Sequence, residues 1–504
     1  MPEREAAIRR ATLSLLVLLS ICASGAAQSA DKVLDRYRKA VGGDSARTVE
    51  STVMRGTVRT SSGETGRFVY RATSPDRLRI DIETASYKAS EGYNGKSAWR
   101  LDRAGLRTLP GPEGKRVRLI AIIANDRLMA SKEITSTLYQ SAANQEAGGA
   151  VALGVGEGDA RVRLLFDPKS NLLVKLESES PESPEQILYD DLRPVDGVKE
   201  PFRLTIKRGS ETIDATIEAV EHNAKIDLAI FDHPVVSGPK PLPDIAAMQK
   251  SLIENQEKVE NLRDHYTYRL TETNYNLGPR GVVKSTDIKV YEVTPVAGAS
   301  VRKLVILNGK ELSPAEREKE ERRVQKKVED TLKQQEKSKQ RGESAAEQAE
   351  ERDDLAISRI LRVNEISGLR RESFRGRTAL VFDYRPPANS KSTDKADTMV
   401  KNLAGTVWID EGAQQVIRLE ASFINSFKFG GGMLGSVSPL SSYVFEQELV
   451  NNELWLPSMA EARIAGRVLF SKLNRRVVTR YSDFKKYKIE SQYDSAKPAE
   501  PKKP

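Results

Sequence analysis

Residue types that catalyse reactions or bind metals are sparse in this chain. Its histidines are His222, His233 and His265, and none has the HExxH spacing of helical zinc sites. The single cysteine, Cys22, lies in an apolar N-terminal stretch. The sequence therefore predicts no metal site, no cofactor and no thiol nucleophile.

Two other patterns only superficially resemble chemical sites. Residues 429–432 read Phe-Gly-Gly-Gly, but the Lys-Ser/Thr that completes a phosphate-binding loop is missing. Asp190 and Asp191 form an acidic pair, yet neighbouring residues of a strand point to opposite faces, which favours a solvated turn entry. No GxSxG nucleophile elbow occurs either. We therefore expect a protein that is not an enzyme.

The length and composition predict a soluble chain of two domains. With 504 residues, 38% hydrophobic and 30% charged, the chain is too long for one ordinary core. Its only sustained apolar run, LSLLVLLSICASGAA, follows Arg9 and Arg10 and ends in small residues. This pattern is typical of a secretory signal peptide, which we place at residues 1–27.

Cys22 allows two interpretations. The tetrapeptide LSIC loosely resembles a lipoprotein acylation site, but Ile21 is larger than the small residue that this motif needs before the cysteine. We favour an inert cysteine inside the signal peptide, so that the mature chain has neither a lipid anchor nor a disulfide. The predicted location is periplasmic or otherwise exported.

The net charge of +9 does not point to nucleic acid. Basic and acidic residues alternate along most of the chain, and the densest basic run is the tail AKPAEPKKP. Residues 492–504 are predicted to be a disordered basic tail. Because no basic stripe is studded with aromatic residues, we expect no nucleic-acid partner.

Hydrophobic periodicity divides the mature chain into two similar halves. Residues 28–234 begin with a helical pattern, ADKVLDRYRKAVGG, and continue in strands that alternate as strictly as DRLRIDIE. Inside them, KRVRLIAIIANDRLMASKEITSTLYQ has the apolar density of one or two helices. Residues 235–244, VVSGPKPLPD, form a Pro-rich linker. Residues 245–491 then repeat the order of a helix followed by strands.

A highly charged insertion occupies residues 313–354 of the second half. Ser313 and Glu316 have capping-box spacing, and Pro314 suits the first helical position. The apolar residues that follow form only a thin stripe of Val324, Val328 and Leu332. A solvated helix that frays into disorder is expected, and an arm that docks a partner is the alternative.

Two matched blocks indicate that one fold occurs twice. YDDLRPVDGVKEP begins at Tyr189 and FEQELVNNELWLP at Phe445, each running from an aromatic residue to a proline through a turn dipeptide. Upstream, DPKSNLLVKLE begins at Asp167 and DEGAQQVIRLE at Asp410. The shared order predicts a tandem duplication.

The first half resembles the periplasmic lipoprotein-carrier superfamily of the LolA type, to which mycobacterial lipid carriers and the RseB stress sensor are related. The resemblance covers nearly all of residues 31–234, and the second half matches more loosely. The elements that carry it are SPDRLRIDIE, NGKSAW, FDPKSNLLVKLE, YDDLRPVDGVKEP and AVEHNAKIDLAIFDHP.

The resemblance implies an α+β fold of two tandem, strongly curved antiparallel sheets. Each sheet is then an incomplete β-barrel covered by helices, and the Pro-rich linker joins the two. The segment from Leu119 to Leu138 falls where the family has its lid, which makes Leu119, Ile120 and Ile123 lid candidates. In the enterobacterial carriers an arginine that latches the lid precedes the proline of the strand matching SPDRLRI. Here that position is Ser74, so the latch is not carried over.

The physical case for a hydrophobic carrier rests on the alternating strands. Keeping one palmitoyl-length chain out of water is worth on the order of 10 kcal/mol, at about 0.8 kcal/mol per methylene. A curved sheet with one apolar face supplies the concave wall that this requires. For each of these residues taken singly, ordinary core packing is the favoured explanation. The candidate wall residues are Met54, Val58, Phe68, Tyr70, Leu78, Ile80, Ile82, Trp99 and Leu101.

Two functions of different classes follow. One is a soluble envelope carrier or chaperone that binds lipid, or the acyl chains of lipoproteins, in the half-barrel. The other is an RseB-like sensor or scaffold that uses the same fold to bind an envelope protein, with the arm at 313–354 as the docking element.

Overall fold

The computed structural model describes most of the two halves of the chain. The predicted signal peptide with Cys22, the tail at 492–504 and His265 lie outside the described residues, as do 235–239 of the linker and 341–354 of the charged insertion. The described residues are 30–126, 128, 136–138, 150–156, 160–178, 184–234, 240–263, 266–278, 283–297, 299–340, 357–387, 399–429, 435–438, 441–451, 454–468 and 471–486.

The helices of the described residues are few and cover the sheets. The first buries Val33, Leu34, Tyr37 and Val41, the apolar side predicted from their spacing. They are α1 (Ala30–Val41), α2 (Asp44–Arg47), α3 (Gly111–Asp126), α4 (Ile245–Arg263), α5 (Pro314–Gln340) and α6 (Ile357–Val363).

None of the helices in the described ranges combines the length and the apolar character that crossing a bilayer requires.

The first half, called domain one below, forms one antiparallel sheet. Its order is β6-β5-β4-β3-β2-β1-β13-β12-β11-β10-β9-β8-β7, so the chain builds outward from β1 and later returns beside it. The strands are β1 (Ser51–Thr60), β2 (Thr65–Thr73), β3 (Arg77–Thr84), β4 (Lys88–Tyr93), β5 (Ala98–Asp102), β6 (Gly105–Thr108), β7 (Ser136–Leu138), β8 (Val151–Val155), β9 (Val162–Phe166), β10 (Leu173–Ser178), β11 (Glu185–Val195), β12 (Val198–Arg208) and β13 (Glu211–His222).

The second half, called domain two, forms a second antiparallel sheet in the order β17-β16-β15-β14-β26-β25-β24-β21-β20-β19-β18, with β22 and β23 attached to β25. Its strands are β14 (Tyr266–Leu277), β15 (Val283–Val296), β16 (Ala299–Leu307), β17 (Lys310–Glu311), β18 (Glu365–Phe374), β19 (Arg377–Arg385), β20 (Leu403–Asp410), β21 (Gln415–Phe423), β22 (Phe427–Phe429), β23 (Gly435–Val437), β24 (Ser442–Val450), β25 (Leu454–Val468) and β26 (Ser471–Lys486).

The two strand orders correspond over eleven strands, while β5 and β6 of domain one and β22 and β23 of domain two have no counterpart. In each sheet the first strand pairs with the last, and the hairpin β11–β12 takes the place of β24–β25. The matched aspartates also form the same turn: Asp167 accepts a hydrogen bond from the backbone N–H of Ser170 at 2.6 Å, and Asp410 accepts one from Ala413 at 2.7 Å. The α+β architecture of two tandem sheets is therefore confirmed.

The first sheet is curved enough to bring distant strands together. Arg208 at the end of β12 contacts Glu91 of β4 at 2.6 Å, although four strands separate β12 from β4 in the sheet order. A flat sheet would hold these strands far apart, at nearly 5 Å per strand. Because the ends of the sheet do not pair with each other, the barrel is incomplete.

The lid segment differs from its prediction. Helix α3 ends at Asp126, and Ser136–Leu138 is not helical but forms the edge strand β7, paired with β8. The helical prediction to Leu138 was therefore wrong at Ser136–Leu138. Apolar density over a long segment does not separate a helix from a short strand within it.

The charged insertion is docked along the second sheet over its described part. The capping box forms, since Ser313 N–H donates to Glu316 at 2.9 Å. Farther along α5, Glu320 accepts a hydrogen bond from the backbone N–H of Leu304 in β16 at 2.6 Å. The stripe of Val324, Val328 and Leu332 is half-buried. Helix α5 thereby covers part of the outer edge of β16, which an uncovered strand would leave open for pairing.

The two domains meet through the edge strands β6 and β18. Thr108 of β6 donates from its backbone N–H and its hydroxyl to the carboxylate of Glu372, at 2.7 and 2.6 Å. Arg370 bonds the same hydroxyl at 2.6 Å and lies 3.3 Å from Asp383. Ser97 of domain one donates to Asp383 at 3.1 Å. Buried polar groups on both sides are thus paired across the junction.

Candidate ligand-binding cavity

Domain one contains a cavity of about 920 Å³, including the solvent at its mouth, between its curved sheet and the helices α1 and α3. Strands from both halves of the sheet line it: β1 to β3 on one side and β10 to β12 on the other. The part of this space that a water-sized sphere can enter is about 120 Å³, smaller than the roughly 300–1,000 Å³ that is typical of sites for small molecules.

Several of the predicted residues come together here. Met54, Phe68, Tyr70, Leu78 and Ile80 line the cavity from β1, β2 and β3, where alternation places their side chains on one face of the sheet. The lid candidates Ile120 and Ile123 of α3 lie opposite them and also line it.

The other predicted residues do not line the cavity. Val58 and Ile82 belong to a neighbouring packed cluster. Trp99 is fully buried, and its indole N–H donates to the backbone oxygen of Phe231 at 2.9 Å. Leu101 lies half-buried in β5, and Leu119 packs in the cluster that contains α1. A ligand contact for these five residues stays a prediction without support from their position.

Most of the lining, thirteen of its twenty residues, was missed by the sequence analysis. Nearly all of these side chains come from α1 and from the strands that follow the lid segment. Their alternation was visible in NLLVKLES and EPFRLTIKR, but no local pattern indicates which distant strands curve to face each other. The missed apolar residues are Tyr37, Val41, Leu172, Leu173, Ile187, Tyr189, Leu192, Leu204 and Ile206.

A network of buried ion pairs lies beyond Ile206, the last cavity-lining residue of β12. Arg208 contacts Glu91 at 2.6 Å and Glu185 at 2.7 Å. Arg116 of helix α3 lies 3.7 Å from Glu185. The network therefore connects the two sides of the curved sheet with the helix that covers them.

Charge compensation keeps the Glu91 carboxylate ionised. Burial by itself raises its pKa, but Arg208 and Arg100 together outweigh burial and hold the pKa below its usual range. Buried ions without such partners would cost several kcal/mol each, on the order of the effective desolvation penalty. The network thus pairs the buried charges at this end of domain one.

Two charged residues also reach the cavity, side by side in β12. Lys199 and Glu200 line it, and the Glu200 carboxylate lies 2.9 Å from Nε2 of His222. They contribute one positive and one negative charge, so their charges offset each other. Across the described residues, no three His, Cys, Asp or Glu side chains are grouped as metal ligands would be.

In domain two, helices α4 and α6 pack against the corresponding face of the sheet. Met248 and Leu252 of α4 and Ile360 of α6 pack in one cluster with Phe382 and other buried side chains of the sheet. The two helices are also bonded to each other, since Gln249 donates to the backbone oxygen of Leu361 at 2.6 Å. Domain two is thus covered by helices that fit closely into its sheet.

No family model and no curated protein matches the sequence. Among solved structures, a DUF1329 family protein from Desulfovibrio piger is similar at 10% identity over 41% of this chain and 98% of that chain, with a TM-score of 0.28. A LolA superfamily protein from Nitrosomonas europaea is similar at 12% identity over 41% of this chain and 98% of that chain, with a TM-score of 0.27.

A third solved structure spans both domains. MucB, in complex with MucA(peri), is 9% identical over 90% of this chain and 93% of that chain, with a TM-score of 0.17. The chain is thus similar to one LolA superfamily structure and to one DUF1329 structure over 41% of its length each.

Proposed function

We propose that this protein is a soluble, exported, non-enzymatic carrier or chaperone that binds the acyl chain of a lipid or lipoprotein in the cavity of domain one. The observation that carries the proposal is the apolar cavity itself, lined by side chains such as Met54, Leu78 and Ile123. Each methylene moved from water into such a lining contributes about 0.8 kcal/mol.

In this proposal the two domains have different roles, because the helices of domain two pack against its sheet. Domain one holds the ligand, and domain two supports it through the junction at Thr108 and Glu372. The lid helix α3 is also held from domain two, because the N–H of Gly111 donates to Glu420 at 2.8 Å.

The test fills the cavity without touching its rim. Ala124 of α3 lines the cavity and is half-buried, so Ala124→Trp places a large ring inside it. We expect wild-type protein to bind a fluorescent fatty-acyl probe and to release lipid into an organic extract analysed by mass spectrometry. The Ala124→Trp variant is expected to lose at least nine tenths of both signals.

The matched control is Ala85→Trp, in an exposed bend of the same domain. It adds the same ring outside the cavity and is expected to leave probe binding unchanged. Wild-type protein that neither binds the probe nor carries lipid would contradict the proposal, as would full binding by a folded Ala124→Trp variant.

A second proposal is the protein-binding role, and one feature of domain two favours it. Strands β25 and β26 run for 15 and 16 residues, and most of their side chains are only half-buried. Val283 and Val468 are exposed by 51% and 42%. Partly exposed apolar side chains on long strands favour a surface that binds another protein.

Deletion of residues 313–354 separates the two proposals. A sensor or scaffold that docks through this arm would lose its co-purifying envelope protein and keep its acyl-probe binding. A carrier would keep its lipid whether or not the arm is present. If deletion left both the partner and the probe in place, docking through the arm would be ruled out.

A further inference from the structure

The apolar cavity contains a small group of tyrosines. Tyr37 of α1, Tyr70 of β2 and Tyr189 of β11 all line it, from three different elements. Tyr189 pairs with Leu204 across the β11–β12 hairpin, and Leu204 lines the cavity too. The tyrosines therefore add phenol hydroxyls to a wall that is otherwise mostly aliphatic.

The hydroxyl of Tyr189 is available to a ligand. Within the described part of the chain, no side chain or backbone group forms a hydrogen bond with it. Its ring packs against both apolar clusters that border the cavity. The hydroxyl is not among the enclosed polar atoms of the described residues that lack a partner, so it faces the open space of the cavity, where a ligand that displaces water must either bond it or leave it unsatisfied at a cost.

The hydroxyl is a donor at all ordinary pH values. Burial raises the pKa of Tyr189, and the neighbouring Tyr70 and Tyr37 raise it further, so the phenol keeps its proton. A phenol donates one hydrogen bond and suits an acceptor oxygen of the ligand.

We propose that the Tyr189 hydroxyl is a hydrogen-bond donor site inside the cavity that binds the carbonyl oxygen of an uncharged acyl ester or amide. The inference rests on the proposed acyl carrier and names its ligand class. A fatty-acid anion is disfavoured because the adjacent Lys199 and Glu200 leave no net positive charge in the lining. A plain hydrocarbon is disfavoured because it leaves the hydroxyl unpaired.

The experiment compares three ligands of equal chain length on the delipidated full chain. Methyl myristate, tetradecane and myristate compete with a fluorescent acyl probe for wild-type protein and for Tyr189→Phe, which removes only the hydroxyl. We expect wild-type protein to prefer methyl myristate over both other ligands by about three- to tenfold, as one net hydrogen bond provides. Tyr189→Phe is expected to lose this preference and to bind tetradecane as before.

The control is Tyr443→Phe, a tyrosine of strand β24 in domain two that is half-buried and outside the cavity. It is expected to keep the ester preference. Equal loss of ester and tetradecane binding in Tyr189→Phe, an unchanged ester preference, or tighter binding of myristate than of its ester would overturn the inference alone. Failure of all three ligands to displace the probe from wild-type protein would overturn the proposed carrier as well.

Discussion

Domain one and domain two share the order of eleven paired strands, but their helices meet the sheets differently: α1 and α3 line a cavity in domain one, whereas α4 and α6 pack in a cluster with the sheet of domain two. The difference is visible at the matched aromatic positions. Tyr189 of β11 is half-buried and lines the cavity, whereas Phe445 of β24 is 8% exposed inside a packed cluster. A shared topology therefore does not determine whether a half-barrel is hollow.

The helices account for the difference. In domain two, α4 and α6 are bonded to each other and insert Leu252 and Ile360 into the sheet, both almost completely buried. In domain one, α1 and α3 both contribute side chains to the cavity lining instead. Whether the hollow is filled depends on how closely the helices approach the concave face and on the size of their side chains.

The largest effect on the free energy of unfolding is expected when an apolar side chain is truncated to alanine in each domain. Phe382→Ala removes a fully buried ring from domain two and is expected to lower the free energy of unfolding by about 3–5 kcal/mol. Ile80→Ala in the cavity wall is expected to cost less than about 2 kcal/mol, since part of its surface already faces empty space. Urea unfolding followed by hydrogen exchange in each sheet measures both; equal costs would contradict the hollow in domain one.

The next effect concerns the junction that joins the domains. Glu372 is buried and accepts hydrogen bonds from Thr108 and Arg370, so Glu372→Ala removes one of the two carboxylates beside Arg370 and leaves only Asp383 at 3.3 Å. We expect a loss of about 3 kcal/mol or more in the free energy of unfolding, as for other broken buried pairs.

The adjacent arginine supplies the control for this junction. Arg371 pairs with Glu411 at 2.6 Å where both side chains are partly exposed, so Glu411→Ala is expected to cost about 1 kcal/mol or less. Small-angle scattering should show a wider separation of the domains for Glu372→Ala only. Similar losses in both variants would mean that the junction does not depend on the buried pair.

The smallest effect is a pH dependence located at the same junction. Burial, reinforced by the charge of Arg370, lowers the pKa of His233 to about 3 from its ordinary 6.5. Between these values the unfolded chain binds more protons than the folded one, so the stability rises with pH and falls on acidification. The slope from this group is at most about 1.4 kcal/mol per pH unit.

His233→Gln is expected to flatten this dependence when the free energy of unfolding is measured from pH 7 to pH 4. Ser97→Ala removes the hydroxyl that lies 3.3 Å from Nε2 of His233 but keeps the imidazole, so the slope should persist. A slope that survives in His233→Gln would assign it to other groups.

Local patterns predicted a large part of the fold. The helical spacing of Val33, Leu34, Tyr37 and Val41, the alternation of DRLRIDIE and the repeated turns at Asp167 and Asp410 all depend on neighbours in the chain. The prediction failed at Ser136–Leu138, where the tripeptide Ser-Thr-Leu pairs with β8, because that pairing joins segments that are distant in the chain.

The sequence predicted only part of the candidate site. Alternation identified Met54, Phe68, Tyr70, Leu78 and Ile80 because it shows which residues share a face. It did not indicate that Trp99 would bond Phe231 instead of a ligand, since that contact joins residues far apart in the chain.

The sequence by itself determined the duplication, the antiparallel strands and which side chains lie on their apolar faces, because each is written in spacings of a few residues. Only the tertiary structure decided that the first sheet curves until β12 reaches β4 and that α3 lies over a cavity. It also decided that α4 and α6 pack against the second sheet. Those outcomes depend on the packing of elements far apart in the sequence, and a hollow is defined by the volume that no side chain occupies.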